Sequence, residues 1–272
     1  MTTLIRTEWL KMRKYSAFWW IMSITALAYP GINFIYYIGY NDIMDKPTQA
    51  SQYAKMMLGN PFAFPEVWHT VAYSSSLFVF IPAVMIIMLI TNEYTYKTHR
   101  QNIIDGWSRN QFLTSKLIDV ALITLIITFL YALVCIVTGL ITYGSPVGSI
   151  WQQSYYTGLF ALQTFAQLSL AFLAGFLVRK AFLALGIFLF YFIVLENIIE
   201  GILTWKNSPA APYLPLEISD RLIPRPGFTT LFKPEGYQES LDAIPLHVLL
   251  TIIITLIIWL ICYRINNRKD LK

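Results

Sequence analysis

The chain has 272 residues, 56% of them hydrophobic and only 13% charged, with a formal net charge of +5 and mean hydropathy +0.54. Soluble domains carry about 25% charged residues, so about half the usual charge is missing, and the remainder is clustered between long uncharged runs. That excludes an ordinary soluble domain and predicts an all-α integral membrane protein, because about 20 apolar residues in a row cross the hydrocarbon core.

The first element is a lead over residues 1–16. Ile5, Trp9 and Met12 recur at i, i+4 and i+7, and Arg6, Lys11, Arg13 and Lys14 supply cations for lipid phosphates. This pattern predicts an N-terminal amphipathic helix lying in the inner interface, with a plain basic flank to the first span as the alternative. The charged lead runs into a full-length apolar stretch without a small-residue cleavage site, unlike a cleavable signal.

Six spans are predicted, over 18–37, 74–91, 118–143, 158–178, 182–199 and 246–263, in one transmembrane domain covering 1–272. Only "RKAFLA" separates the fourth from the fifth. Pro30-Gly31 and Pro82 are expected to kink the first two. With the N-terminus inside, 14 of the 20 Lys and Arg fall on inner segments and 6 on outer loops, so both termini are expected in the cytoplasm. Topology thus accounts for the pI of 9.1 without a nucleic-acid partner. Cys135 and Cys262 read as small packing residues.

Between spans two and three lies a polar insertion, "NEYTYKTHRQNIIDGWSRNQFLTSK". Glu93 to Asp105 holds no Pro or Gly, and a cytoplasmic helix is predicted over 93–107, with Tyr96, Arg100, Ile103, Ile104 and Trp107 near one face. Gly106 stands where a helix end favours positive φ. Ser108 and Gln111 fit a capping box that opens a new helix. Such a helix, held between two spans by a glycine elbow, can pass motion to both; it can also simply order the connection.

In span four, Gln163, Thr164, Gln167, Ala171, Ala174 and Gly175 share one flank, suited to close helix packing or to the wall of a translocation path. In span five, Glu196 and Glu200 are one turn apart, with Asn197 and Gly201 beside them. A carboxylate deep in a bilayer costs about 2.5–3.5 kcal/mol and is a functional candidate. The alternative puts both at the outer interface, with the span ending near Leu195. Residues 205–245 carry seven of the 13 prolines and predict a turn-rich outer segment, with Tyr213, Phe228, Phe232 and Tyr237 near the interface.

Catalytic constellations are missing. There is no HExxH and no GxxxxGK[ST], "GWSRN" fails the G-x-S-x-G pattern, and His69, His99 and His247 are scattered. No metal site, no catalytic residues and no bound cofactor are expected on this chain.

The chain resembles the ABC type-2 exporter permeases along nearly its whole length. The resemblance rests on the lead Glu8-Trp-Leu-Lys11-Met-Arg13 and on Glu93, Thr98, Arg100, Gly106, Ser108, Arg109 and Lys116 after span two. It rests also on "YLPLEISDRLIPRP" before the last span, which in these permeases forms re-entrant elements. Trp107 departs from the pattern, where Pro or a small residue is commoner. The resemblance implies a permease subunit of an ATP-driven exporter in a bacterial cytoplasmic membrane, moving a lipid, peptide, drug or similar cargo outward by alternating exposure between two protomers. Its implied partners are a second permease, identical or homologous, two cytoplasmic ATP-binding-cassette ATPase subunits holding ATP and Mg, and membrane lipids. ATPase coupling would then fall to Glu93, Tyr96, Arg100, Ile103, Ile104, Gly106, Ser108 and Arg109. The path would fall to Gln163, Gln167, Glu196, Asn197 and Glu200. Rival readings are an ion-coupled transporter or channel with Glu196 and Glu200 as ion site, and a non-transporting membrane anchor of an envelope machine; an embedded enzyme is disfavoured.

Overall fold

A computed structural model describes residues 2–44, 60–142, 150–227 and 234–268. Phe228 and Phe232 lie outside them, as do parts of the connections after the first and third predicted spans. The described residues form helices α1 (Thr2–Lys14), α2 (Ser16–Met44), α3 (Val67–Ser76), α4 (Phe80–Thr95), α5 (Thr98–Ile104), α6 (Arg109–Ile141) and α7 (Tyr156–Val178). There follow α8 (Ala181–Trp205), a 3-10 turn (Ala211–Tyr213), α9 (Pro215–Asp220), α10 (Pro234–Asp242) and α11 (Ile244–Arg268). No strand occurs among the described residues.

Five helices, α2, α6, α7, α8 and α11, are long and apolar enough to cross a membrane. Counting α3 and α4 as one broken span raises the number to 6. Apolar side chains such as Trp20, Leu27, Phe34, Phe129 and Phe182 face outward, the arrangement of a chain solvated by lipid rather than water.

The break differs from the sequence expectation. A single span over 74–91 with a kink at Pro82 is replaced by two helices bent by 49° at Leu77–Val79. Three successive serines precede the bend, and Phe78 N and Val79 N donate to Ser75 O (3.0 Å) and Ser76 O (3.2 Å) in a tight turn. Pro82 falls in the first turn of α4, where its missing N–H leaves no bond unmade. Polar groups brace the joint, since Ser74 Oγ donates to Asn33 Oδ1 (2.6 Å) and Asn33 Nδ2 to Ser75 Oγ (3.3 Å), tying α3 to α2.

The centre of the bundle is α7, packed against α4, α6 and α11. Its small stripe works in close packing: a Cβ on Gly175 would stand 2.5 Å from Ile90 Cγ2 and 3.4 Å from Ile87 Cα, so glycine lets α4 and α7 approach. Phe172 stacks on Trp259 at 4.9 Å and Tyr131 on Phe160 at 4.5 Å, while Trp259 Nε1 donates to Ser169 Oγ (3.0 Å), so the indole is satisfied inside the core. The turn between α7 and α8 is as short as the sequence suggests, made by Arg179 at φ 60° and Lys180.

α8 extends past the expected end at 199 to Trp205, with a π-helical turn at Tyr191–Leu195. Asn197 Nδ2 donates back to Phe192 O (3.2 Å) and Ile193 O (3.1 Å), serving carbonyls at that irregular turn.

Candidate functional site

Two polar centres stand out, at opposite ends of the bundle. The first joins α1, α4 and α6. Lys116 reaches three carboxylates, Glu8 Oε2 (2.5 Å), Glu93 Oε1 (2.8 Å) and Asp119 Oδ2 (3.1 Å). Lys11 adds a second cation, 3.1 Å from Glu8 Oε1 and 3.2 Å from Glu93 Oε1. Glu8 is 1% exposed and Lys116 3%. Burying charge is tolerated when it is paired, here three carboxylates on two ammonium groups. Burial drives the Glu8 carboxyl up, but the ammonium groups of Lys116 and Lys11 outweigh it and hold the group below its ordinary value.

This network adds to the reading of the lead. α1 forms with Ile5 and Trp9 exposed, and with Glu8 and Met12 turned inward. Glu8 is drawn in by a lysine 108 positions away, a force that amphipathic periodicity does not register. Lys11 likewise serves buried carboxylates. It also lies over the Trp107 ring, 5.8 Å from its centroid.

The helix predicted over 93–107 is shorter. α4 carries on through Glu93 to Thr95, the chain turns at Lys97 with φ 55°, and α5 occupies only Thr98–Ile104. Glu93 itself causes the break: its carboxylate accepts from Thr98 Oγ1, and its carbonyl accepts from His99 Nδ1 at 2.9 Å. Those bonds pull the chain back before a continuous helix can form. Tyr96 and Ile104 are 73% and 77% exposed; Arg100 and Ile103 are half-buried.

The rest of the punctuation holds as read. Gly106 has φ 98°. Ser108 Oγ accepts from Gln111 N (3.1 Å) while Ser108 N donates to Gln111 Oε1 (2.8 Å), a complete capping box. Arg109 Nη1 donates to Asn267 O (3.2 Å) and Asn266 Nδ2 to Arg109 O (2.8 Å), fastening this elbow to the end of α11.

At the other end, α3, α4, α8, α9, α10 and the start of α11 line a half-open cavity of about 740 Å³. Its lining includes Glu196, Glu200, Glu217, Asp220, Arg221 and Arg225, together with the apolar Phe80, Phe192 and Ile223. The paired carboxylates of α8 have separate tasks. Glu196 Oε1 accepts the backbone amides of Leu216 (2.6 Å) and Glu217 (2.9 Å), capping α9 from a distant helix. Glu200 accepts from Thr204 Oγ1 (3.0 Å).

Gln163 and Gln167 lie buried in α7, outside the cavity wall, and both donate to one oxygen of Asp220, Oδ1, at 2.8 and 2.7 Å. Asp220 is the wall's best-exposed acid of the α9 turn. Desolvation by the surrounding protein lifts its carboxyl to about 7, and its open side lets solvent offset part of that rise. Burial also raises Glu217, against the pull of Arg221, whose Nε stands 2.8 Å away.

The predicted path residues therefore converge on one region, with Glu196, Asn197 and Glu200 on the wall and the glutamines one layer behind. Sequence reasoning missed Asp220 and the network around Lys116. A Lys116-x-x-Asp119 pair at the head of one span, facing Glu93 at the foot of the preceding one, was the available signal. No group of three or more His, Cys, Asp or Glu placed to hold a metal ion occurs among the described residues.

A family model described as a protein of unknown function (DUF2705) matches residues 32–272, and the chain belongs to that family. No curated protein matches it.

Proposed function

We propose that this DUF2705 protein is the membrane subunit of an ATP-driven exporter. In this reading six spans enclose or flank the cargo path, α3 and α4 counting as one broken span, and both termini face the cytoplasm of a bacterial cell. α1 lies at the inner interface, α5 is the coupling helix, and α9 and α10 belong to a re-entrant outer segment. A second permease and two cytoplasmic ATPase subunits, the latter holding ATP and Mg, complete the machine.

The observation that carries the reading is the mounting of α5. It is a two-turn helix with exposed Tyr96 and Ile104 at its edges, held by Gly106 at φ 98° and a capping box on one side. On the other it is bound through Thr98 and His99 to Glu93, and through Glu93 to Lys116 on α6 and Lys11 on α1. A push on α5 thus reaches three helices through charge-assisted bonds.

The test is purification of the full chain from its native membrane in a mild detergent. The reading expects an ATPase with phosphate-binding and Mg-binding motifs in the complex, in equal number to the permeases, and ATP hydrolysis that falls at least tenfold in Ile104→Asp without a change in unfolding temperature. A chain that transports fully with no ATPase present contradicts it.

A further inference from the structure

The cavity differs from a solvated cleft in what its polar atoms lack. Glu196 lines it, is 4% exposed, and leaves Oε2 without a hydrogen bond after Oε1 has taken both amides of α9. That oxygen is an acceptor, and a buried acceptor without a donor is costly. An occupant that satisfies this wall has to donate hydrogen bonds.

The charge of the wall points the same way. Four carboxylates face two guanidiniums. Arg221 is held by Glu217 at 2.8 Å, and Arg225 lies beside Tyr73. The same lining includes Phe80 at the start of α4, Phe192 in the π turn of α8 and Ile223 after α9. A lining that combines surplus carboxylates with these apolar side chains fits a ligand with a cationic head and a hydrocarbon body.

We propose that this cavity binds a membrane amphiphile whose head carries a protonated amine, with the ammonium on Asp220 and Glu196 and the apolar body along Phe80 and Phe192. Its size suits such a ligand, since small-molecule sites occupy about 300–1,000 Å³. As a cargo assignment the proposal rests on the exporter reading; as a binding site it stands on the cavity alone.

The experiment uses the full chain, purified in a neutral maltoside detergent and titrated with dodecylamine, dodecanol or dodecanoate, with occupancy read by native mass spectrometry. Dodecylamine is expected to fill one site, and the neutral and anionic chains to bind at least about tenfold more weakly. Asp220→Asn keeps an oxygen for the glutamine amides and should weaken dodecylamine about tenfold, or about 1.4 kcal/mol, with an unchanged unfolding temperature. Glu200→Gln is the second variant, with about a threefold loss.

A second arm reconstitutes the chain with equal phosphatidylethanolamine and phosphatidylglycerol. Selective retention of phosphatidylethanolamine assigns the amine to a lipid headgroup, and dodecylamine binding without that retention assigns it to a free amphiphile. Equal binding of the three dodecyl compounds, or dodecylamine binding untouched by both substitutions, overturns the proposal. Amine binding in a chain that recruits no ATPase would remove the exporter reading and leave the site standing; ATPase recruitment without amine binding would do the reverse.

Discussion

The two ends of the bundle hold similar numbers of acids and treat them in opposite ways. At the α5 end Glu8, Glu93 and Asp119 converge on Lys116, with Lys11 closing the ring, and helices far apart in sequence are knitted together. At the cavity end Glu196, Glu200, Glu217 and Asp220 are spread over a wall whose two arginines do not match them. Paired charge ties helices into a joint; under the two proposals above that joint would pass force, and the less matched wall would take a ligand.

The strongest way to break that contrast is to remove the hub of the joint. Lys116→Met strands three buried carboxylates and should cost about 3–5 kcal/mol, read as a large drop in the thermal unfolding midpoint in detergent. Adding Glu8→Gln to it should cost less than the two single losses together, because they share one network. At the other end Glu196→Ala removes the cap of α9 and should cost about 1–2 kcal/mol, with Glu196→Gln much milder because an amide oxygen can still accept from Leu216 N and Glu217 N. Gly106→Ala forces a side chain into φ 98° and should cost about 1 kcal/mol. Asp220→Asn, at an exposed wall position, should change stability by under about 0.5 kcal/mol. A stability loss there as large as that of Lys116→Met would erase the distinction between the ends.

Acid sharpens the same comparison. Glu8 is held below its ordinary value in the fold, so the stability it contributes is present above the unfolded glutamate value of about 4.3. It is lost as pH falls from there through the depressed folded value. The unfolding midpoint of the native chain should therefore drop below about pH 4, and Lys116→Met should flatten that dependence.

Apolar runs made the membrane helices legible. Span four was read at 158–178 against Tyr156–Val178, because an uncharged stretch ends abruptly at Arg179-Lys180. Gly106, Ser108 and Gln111 were equally readable, since capping is local chemistry. The break between α4 and α5 was not, because nothing at Tyr96-Lys97 marks a helix stop; Thr98 and His99 create it by bonding to Glu93. Nor could periodicity find Glu8 or Asp220. Hydropathy assigns a charged residue to the surface unless a partner is known, and Lys116 and Gln163 are partners brought in by tertiary packing. Glu196 was seen as a candidate, yet its capping task depends on Leu216 and Glu217 returning to it 20 and 21 residues later.

The central claim is that α5 is gripped by an ATPase. The most direct measurement places a photo-crosslinking benzoylphenylalanine at Ile104 in the full chain, irradiates native membranes, and identifies the adduct by mass spectrometry, with Phe182, 92% exposed on the apolar face, as the control position. The account predicts an adduct at 104 with an ATPase carrying a phosphate-binding loop, and none at 182. An adduct at 104 with lipid alone, or the same ATPase captured equally from both positions, would contradict it.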